Sequence, residues 1–249
     1  MSADYHPKHT YKMTEENQKE VQMKFYDHIG VAEGLVTPEY CDTLIQAFEE
    51  MYAMKYVKEM DYPVPYKQYS YTEGDTQFDR GGLGRKDHQL FLETADITMA
   101  TEVNQAVGQA FEMYAKEYKG ILDSADPVSS WTVKLQRTDP GGGYHIWHCE
   151  NGSFAYRDRV LTWMIYLNDI PPEHGGGTDF YHQKRTFHPT KGTVVIWPAC
   201  YTHVHRGAFL TGEKSKYIAT GWFYREPGNV TNRIIGEKMG KLEAKDELN

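Results

Sequence analysis

The most informative stretch of the chain is GGGYHIWHCENG, residues 141–152, because it holds His148 and Glu150 one residue apart. On an extended strand, side chains two positions apart point to the same face, so an imidazole and a carboxylate from one short segment can reach one metal ion. A third ligand must come from elsewhere. The segment ACYTHVHRG, residues 199–207, offers His203 and His205. Both face the same way on an extended strand, so alternation does not choose between them. Two imidazoles and one carboxylate suit iron(II), and with a bound water they suit zinc. Three protein ligands fill one face of an octahedron and leave the other positions for a bidentate co-substrate and dioxygen. The carboxylate offsets part of the charge as the metal changes oxidation state. With 11 histidines and 35 acidic residues, one His-x-Glu arises by chance now and then, so the surroundings must decide.

The elements that would position these residues are legible by period. Cys41, Leu44, Ile45, Phe48 and Tyr52 recur at helical spacing and predict a helix from Pro38 to about residue 55. Thr37 is its cap, Pro38 suits the first helical position, and Glu39 suits the positive end of the dipole. A second helix is predicted at about 97–119, with Val103, Val107, Ala110, Phe111, Tyr114 and Tyr118 on its buried stripe and Gly120 as a left-handed stop. The period then changes to two. WTVKLQRT (131–138), VLTWMIYLN (160–168), TVVIWPA (193–199) and KYIATGWFYR (216–225) read as strands, separated by glycine turns at 141–143, 174–177 and 206–207. Residues 29–36 read as an earlier strand. Residues 59–90 read as a long irregular region with room for one short strand. Its tyrosines Tyr62, Tyr66, Tyr69 and Tyr71 either pack as amphipathic surface or line a substrate groove. Helices followed by strands predict helices stacked outside an antiparallel β-sandwich or barrel.

One domain, residues 1–249, is expected: a polar tail at 1–22, a helical and loop region at 23–130, a core at 131–225 and a charged segment at 226–249. The net charge of −8, with no dense Lys/Arg cluster, argues against nucleic acid as a partner. Cys41, Cys149 and Cys200 form no spaced set, so a reduced setting is expected. The N-terminal sequence has no apolar core of a signal peptide, and no run reaches the roughly 18 apolar residues of a membrane span. The expectation is a cytoplasmic protein with no membrane partner.

Residues 131–225 resemble the catalytic core of the 2-oxoglutarate/Fe(II)-dependent oxygenase superfamily, and within it the prolyl 4-hydroxylase type. Several pieces match in order: Gly141–Gly143 with Tyr144, His148 and Glu150; Tyr166-Leu167-Asn168; the glycine-rich run Gly175 to Phe180; Gly192 to Pro198; and a distal histidine followed by a basic residue on the last core strand. The resemblance implies a mainly β fold with flanking helices, a double-stranded β-helix (a cupin-like jelly roll) with N-terminal helices packed on one sheet. It implies iron(II), 2-oxoglutarate and dioxygen, with ascorbate as a reductant. It implies His148, Glu150 and His205 as ligands, because His205 stands eleven residues before Lys216. Lys216 is then the residue for the far carboxylate of 2-oxoglutarate, with Lys214 as the alternative on the same strand face. Tyr166 is implied to hold the co-substrate. Thr138 stands where the family has a tyrosine, and Glu150 where aspartate is usual. The retained carboxylate implies hydroxylation and not halogenation. The implied substrate is a peptidyl proline; a free amino acid, small metabolite or other residue is the alternative, and a metal-binding module without turnover a third. Arg80, Arg157 and Arg159 are candidate substrate contacts. Trp147 and Trp222 are read as core first and as pocket wall and candidate substrate contacts second, and His145 as a neighbour of the ligands.

Overall fold

The computed structural model describes residues 21–63, 83–123 and 127–225. The first strands are β1 (Met23–Tyr26) and β2 (Ile29–Ala32), followed by helix α1 (Pro38–Ala53). Next come β3 (Lys58–Pro63), β4 (Leu83–Phe91), the single turn α2 (Leu92–Ala95) and the long helix α3 (Ile97–Glu117). The remaining strands are β5 (Val128–Thr138), β6 (Gly143–Tyr144), β7 (Arg159–Tyr166), β8 (Thr178–Phe180), β9 (Arg185–Phe187), β10 (Val194–Pro198), β11 (His205–Gly207) and β12 (Lys216–Arg225). A large antiparallel sheet runs β1-β2-β10-β7-β12-β5-β4-β3, with β6 on β4, and faces a small sheet β11-β8-β9. This is a mixed fold with a jelly-roll-like core and the helices on one side. No helix among the described residues is long and apolar enough to cross a membrane.

Both helices start where side chains satisfy their first free N–H groups. Thr37 Oγ1 accepts from the Tyr40 N–H at 3.3 Å, with Pro38 opening α1. Asp96 accepts from the Met99 N–H at 3.0 Å to open α3. The end of α3 differs from expectation. The helix stops at Tyr118, and Gly120 lies in a 3-10 turn at Lys119–Ile121 without a left-handed φ.

The strands divide their residues between two environments. Val133 and Leu135 of β5, Leu161, Trp163 and Ile165 of β7, and Ala219 and Phe223 of β12 pack against Leu44, Phe48, Val103 and Val107 of the helices. The alternate residues face the small sheet. There Val195, Trp197 and Ile218 pack with Phe180 in a second apolar cluster. Gly221 lets two elements approach: a Cβ there would run into the Thr132 carbonyl and the Trp163 ring.

Three expected features are corrected. Residues 59–90 are not wholly irregular, because Lys58–Pro63 pairs antiparallel with Leu83–Phe91; the stretch between, with Tyr66, Tyr69, Tyr71 and Arg80, lies outside the described residues. The turn expected at 206–207 is strand β11, paired with β8. The predicted strand at 29–36 is shorter and is joined by β1 in a tight pair. All three cysteines are free. The tail at 1–20 and the segment 226–249 lie outside the described residues.

Candidate metal centre

Backbone pairing brings the two ligand segments together. The His148 N–H donates to the His205 carbonyl at 3.0 Å and the His205 N–H donates back to His148 at 2.9 Å. This isolated antiparallel bridge sets the two histidines opposite one another. The Glu150 N–H donates to the Ala199 carbonyl at 2.9 Å and anchors the carboxylate beside them. Glu150 Oε1 then lies 3.5 Å from His148 Nε2 and 3.4 Å from His205 Nε2. The ligand atoms of the three residues all lie within 4.8 Å of one another. One ion about 2.1 Å from each atom can bridge such a set.

The outer partners fit a metal as well as the ligands do. His148 Nδ1 is 2.7 Å from the Ile146 carbonyl, and His205 Nδ1 is 2.9 Å from the His203 carbonyl. A carbonyl only accepts, so both Nδ1 atoms carry the proton and both Nε2 atoms offer a lone pair to the cavity. Burial, then the neighbouring His205, pushes the His148 imidazole toward its neutral form. Burial pushes the Glu150 carboxyl up, but hydrogen bonds and charge from the two imidazoles in their protonated form outweigh it and hold the group well below its ordinary range, and a bound cation would take the place of those protons. Neutral imidazoles and an ionised carboxylate are the states a divalent cation binds.

Glu150 uses its two oxygens differently. Oε1 faces the imidazoles, while Oε2 accepts from Arg159 at 3.0 Å and from the Trp222 indole at 2.9 Å. The Arg159 guanidinium lies 3.6 Å over Trp222 and 4.1 Å over Tyr156. Arg159 and Trp222, expected as substrate contacts, line the cavity but are engaged in aiming the carboxylate. This gives the longer glutamate a fixed reach.

His203 has another task. Residues 201–203 form a 3-10 turn while 205–207 form a strand, so the two histidines do not share a face. His203 Nε2 donates to the Asp27 carbonyl at 2.8 Å and Nδ1 accepts from Thr202 at 2.9 Å. Both nitrogens are occupied away from Glu150. His145 bonds the Gly207 carbonyl and stays outside the ligand set.

The triad opens into a cavity of about 430 Å³ between the two sheets. Lys216 lines it, buried, with Nζ donating to the Gly176 carbonyl at 2.7 Å. Gly176 has φ +68, so the turn that presents this carbonyl favours glycine. Burial pushes the Lys216 ammonium down to about 8, partly countered by Asp87 and Asp179. Lys214 is exposed in the loop before β12, so it lacks the strand face expected for it. Thr138 pairs with Lys216 across the strands and lines the same cavity. Tyr166 sits behind the wall: its hydroxyl bonds Thr178 at 2.7 Å and the Phe187 carbonyl at 3.1 Å. Trp147 packs under Arg206, whose guanidinium lies 4.4 Å over its ring. Arg157 is on the surface, 3.7 Å from Asp158 and stacked on Phe154. Neither Trp147 nor Arg157 lines the cavity.

Sequence reasoning missed the polar residues of the cavity floor. Arg85, Asp87, Lys134 and Gln136 are all buried there. Their signal was the polar phase of two alternating strands, which also describes a solvent-facing sheet.

Comparison with known proteins places this geometry. Residues 133–224 match the family model of the 2OG-Fe(II) oxygenase superfamily. The site is the two-histidine, one-carboxylate facial triad typical of Fe(II)/2-oxoglutarate-dependent dioxygenases. The chain is 25% identical over 169 residues to prolyl 4-hydroxylase subunit alpha-1 of Caenorhabditis elegans. That match takes in 62% of this chain but only 30% of the length of the relative. A prolyl-4-hydroxylase of Pseudomonas putida superposes with a TM-score of 0.57 at 14% identity, over 80% of this chain and 93% of that one. The non-heme alpha ketoglutarate dependent epimerase SnoN of nogalamycin biosynthesis superposes with a TM-score of 0.55 at 13% identity, over 82% and 83%. At such identities the likeness is one of fold, and the fold hosts more than one reaction.

Proposed function

We propose that this protein hydroxylates an unactivated C–H bond at the expense of 2-oxoglutarate and dioxygen, with His148, Glu150 and His205 holding the iron. The observation that carries this reading is the triad opening into the same cavity as the buried Lys216. Iron(II) with 2-oxoglutarate and dioxygen supplies the oxidising power to replace hydrogen by hydroxyl, leaving succinate and carbon dioxide. The chain's own residues position and exclude. The Ile146 and His203 carbonyls fix the imidazole tautomers, and Arg159 with Trp222 fixes the carboxylate. Lys216 is the proposed partner of the far carboxylate of 2-oxoglutarate. A carboxylate accepts a charge-assisted bond stronger than the one the Gly176 carbonyl now receives. Thr138 supplies a hydroxyl at that end, and Tyr166 acts at one remove by holding Thr178. Ascorbate as external reductant rests on the family resemblance.

For the substrate, a peptidyl proline is the class supported by the likeness to prolyl hydroxylases. A small carboxylic acid or free amino acid is the second reading, favoured by the buried Lys134 on the cavity floor. Succinate release measured with proline-rich peptides and with free amino acids separates the two. Stimulation by the peptides supports the first reading, and stimulation by free amino acids alone removes it. If 2-oxoglutarate is never consumed under any condition, the oxygenase reading itself falls.

A further inference from the structure

The charges lining the cavity pair off with two exceptions. Arg85 bonds Asp87 and Gln89, Arg159 bonds Glu150, and Arg206 bonds Asp179. Lys216 rests on a backbone carbonyl. Lys134 has neither a carboxylate nor a hydrogen-bond acceptor among the described residues, although it is 9% exposed. Its ammonium lies 5.3 Å from the centre of the Trp222 ring. The nearby carboxylates of Asp87 and Glu150 are already held by the two arginines. A buried ammonium with a ring face but no anion or hydrogen-bond acceptor among the described residues is costly, and burial depresses this one to about 8. A ligand that brought a negative charge would complete it.

Its surroundings add neutral donors. Gln136 follows on the same strand face, is buried on the cavity, and has no side-chain hydrogen bond among the described residues. Thr162, opposite Trp222, also lines the cavity and has a fully buried hydroxyl without a hydrogen-bond partner among the described residues. Phe91 stands opposite Lys134 in the ladder and supplies an apolar neighbour.

This group is distinct from the Lys216 end. Lys134 pairs with Thr220 and Thr138 with Lys216, so the two lysines sit four residues apart along the ladder. That is about 13 Å of strand, and the Lys134 ammonium leans onward toward Trp222. The five-carbon chain of 2-oxoglutarate, with four bonds of about 1.5 Å, is much shorter than this separation along the strand. The Trp222 indole also bonds Glu150, so Lys134 lies beside the triad, away from Lys216.

We propose that Lys134, with Gln136, forms a subsite for a carboxylate of the substrate, so that the protein selects molecules or residues bearing a carboxylic acid near the C–H bond to be oxidised. This deepens the oxygenase reading above and rests on it. The carboxylate belongs to a free acid or to an acidic side chain of a peptide; the chemistry at Lys134 is the same.

The test uses the full chain loaded with iron(II) and 2-oxoglutarate under nitrogen. Saturation-transfer NMR reads binding of propionate and cyclopentanecarboxylate against their carboxamides, in the wild type, Lys134→Met and Lys134→Arg. The acids should bind at least tenfold better than the amides. Lys134→Met should erase that preference and Lys134→Arg should keep most of it. Equal binding of acid and amide, no binding of either acid, or an unchanged preference in Lys134→Met overturns the subsite. The visible band of the loaded complex is recorded in each sample. Its absence tells against the oxygenase reading separately, and acid binding is then scored on the unloaded protein. Succinate release with free amino acids against capped peptides holding one aspartate or glutamate identifies the source of the carboxylate. Stimulation only by neutral capped peptides overturns the proposal.

Discussion

Neighbouring residues of β5 live in opposite worlds. Val133 and Leu135 are sealed against the helices, while Lys134, Gln136 and Thr138 look into the cavity. The same division runs through β7 and β12. On the helix side the requirement is volume and shape, and Trp163 is fully buried there, with its indole donating to Ser130 at 2.9 Å. On the cavity side the requirement is charge and hydrogen bonding, met by groups that would be costly if nothing bound them. One set of strands thus carries stability on one face and chemistry on the other. Damage to one face should therefore leave the other readable.

The largest effect should come from the helix side. Trp163→Ala should cost about 3–5 kcal/mol of stability, measured by urea denaturation. A small loss there with a large loss of co-substrate binding would break the division. On the cavity side, Lys216→Met keeps the volume and removes the charge. It should weaken 2-oxoglutarate binding by roughly 10–100-fold, as expected for a hydrogen bond to a charged group, with the melting temperature unchanged or raised. Arg159→Ala should lower iron affinity by about 10–100-fold, the usual cost of losing an outer partner of a ligand. Metal titration at constant pH checks it, and Arg159→Lys should recover part of the loss.

The smallest effect is in pH. The Lys216 ammonium is depressed to about 8 by burial, so it is charged below that value and loses its proton above it. KM for 2-oxoglutarate should stay level up to about pH 7, double near 8, and rise up to about tenfold per unit beyond. A profile flat to pH 10 would mean that another group holds the far carboxylate.

What the sequence disclosed follows from which interactions are local. Helix α1 was readable from Thr37, Pro38 and its apolar stripe, and β12 from the change to a period of two. Both signals lie within one segment. The pairing of β3 with β4 joins residues separated by a long stretch, and no local pattern announces it. The choice between His203 and His205 turned on a 3-10 turn that breaks the alternation both positions share. Lys214 failed as an alternative because the strand begins two residues later, at Lys216. The polar phase of β5 was visible, but alternation cannot say whether a polar face meets water or a cavity. Lys134 and Gln136 stayed unassigned for that reason, and so did Arg85 and Asp87 on β4.

Whether His148, Glu150 and His205 are the three ligands is decided by anaerobic titration with iron(II) and 2-oxoglutarate. The wild type and His203→Ala should develop a weak visible charge-transfer band. His148→Ala and His205→Ala should not. A band that survives in His205→Ala, or is lost in His203→Ala while His205→Ala keeps it, would contradict the assignment.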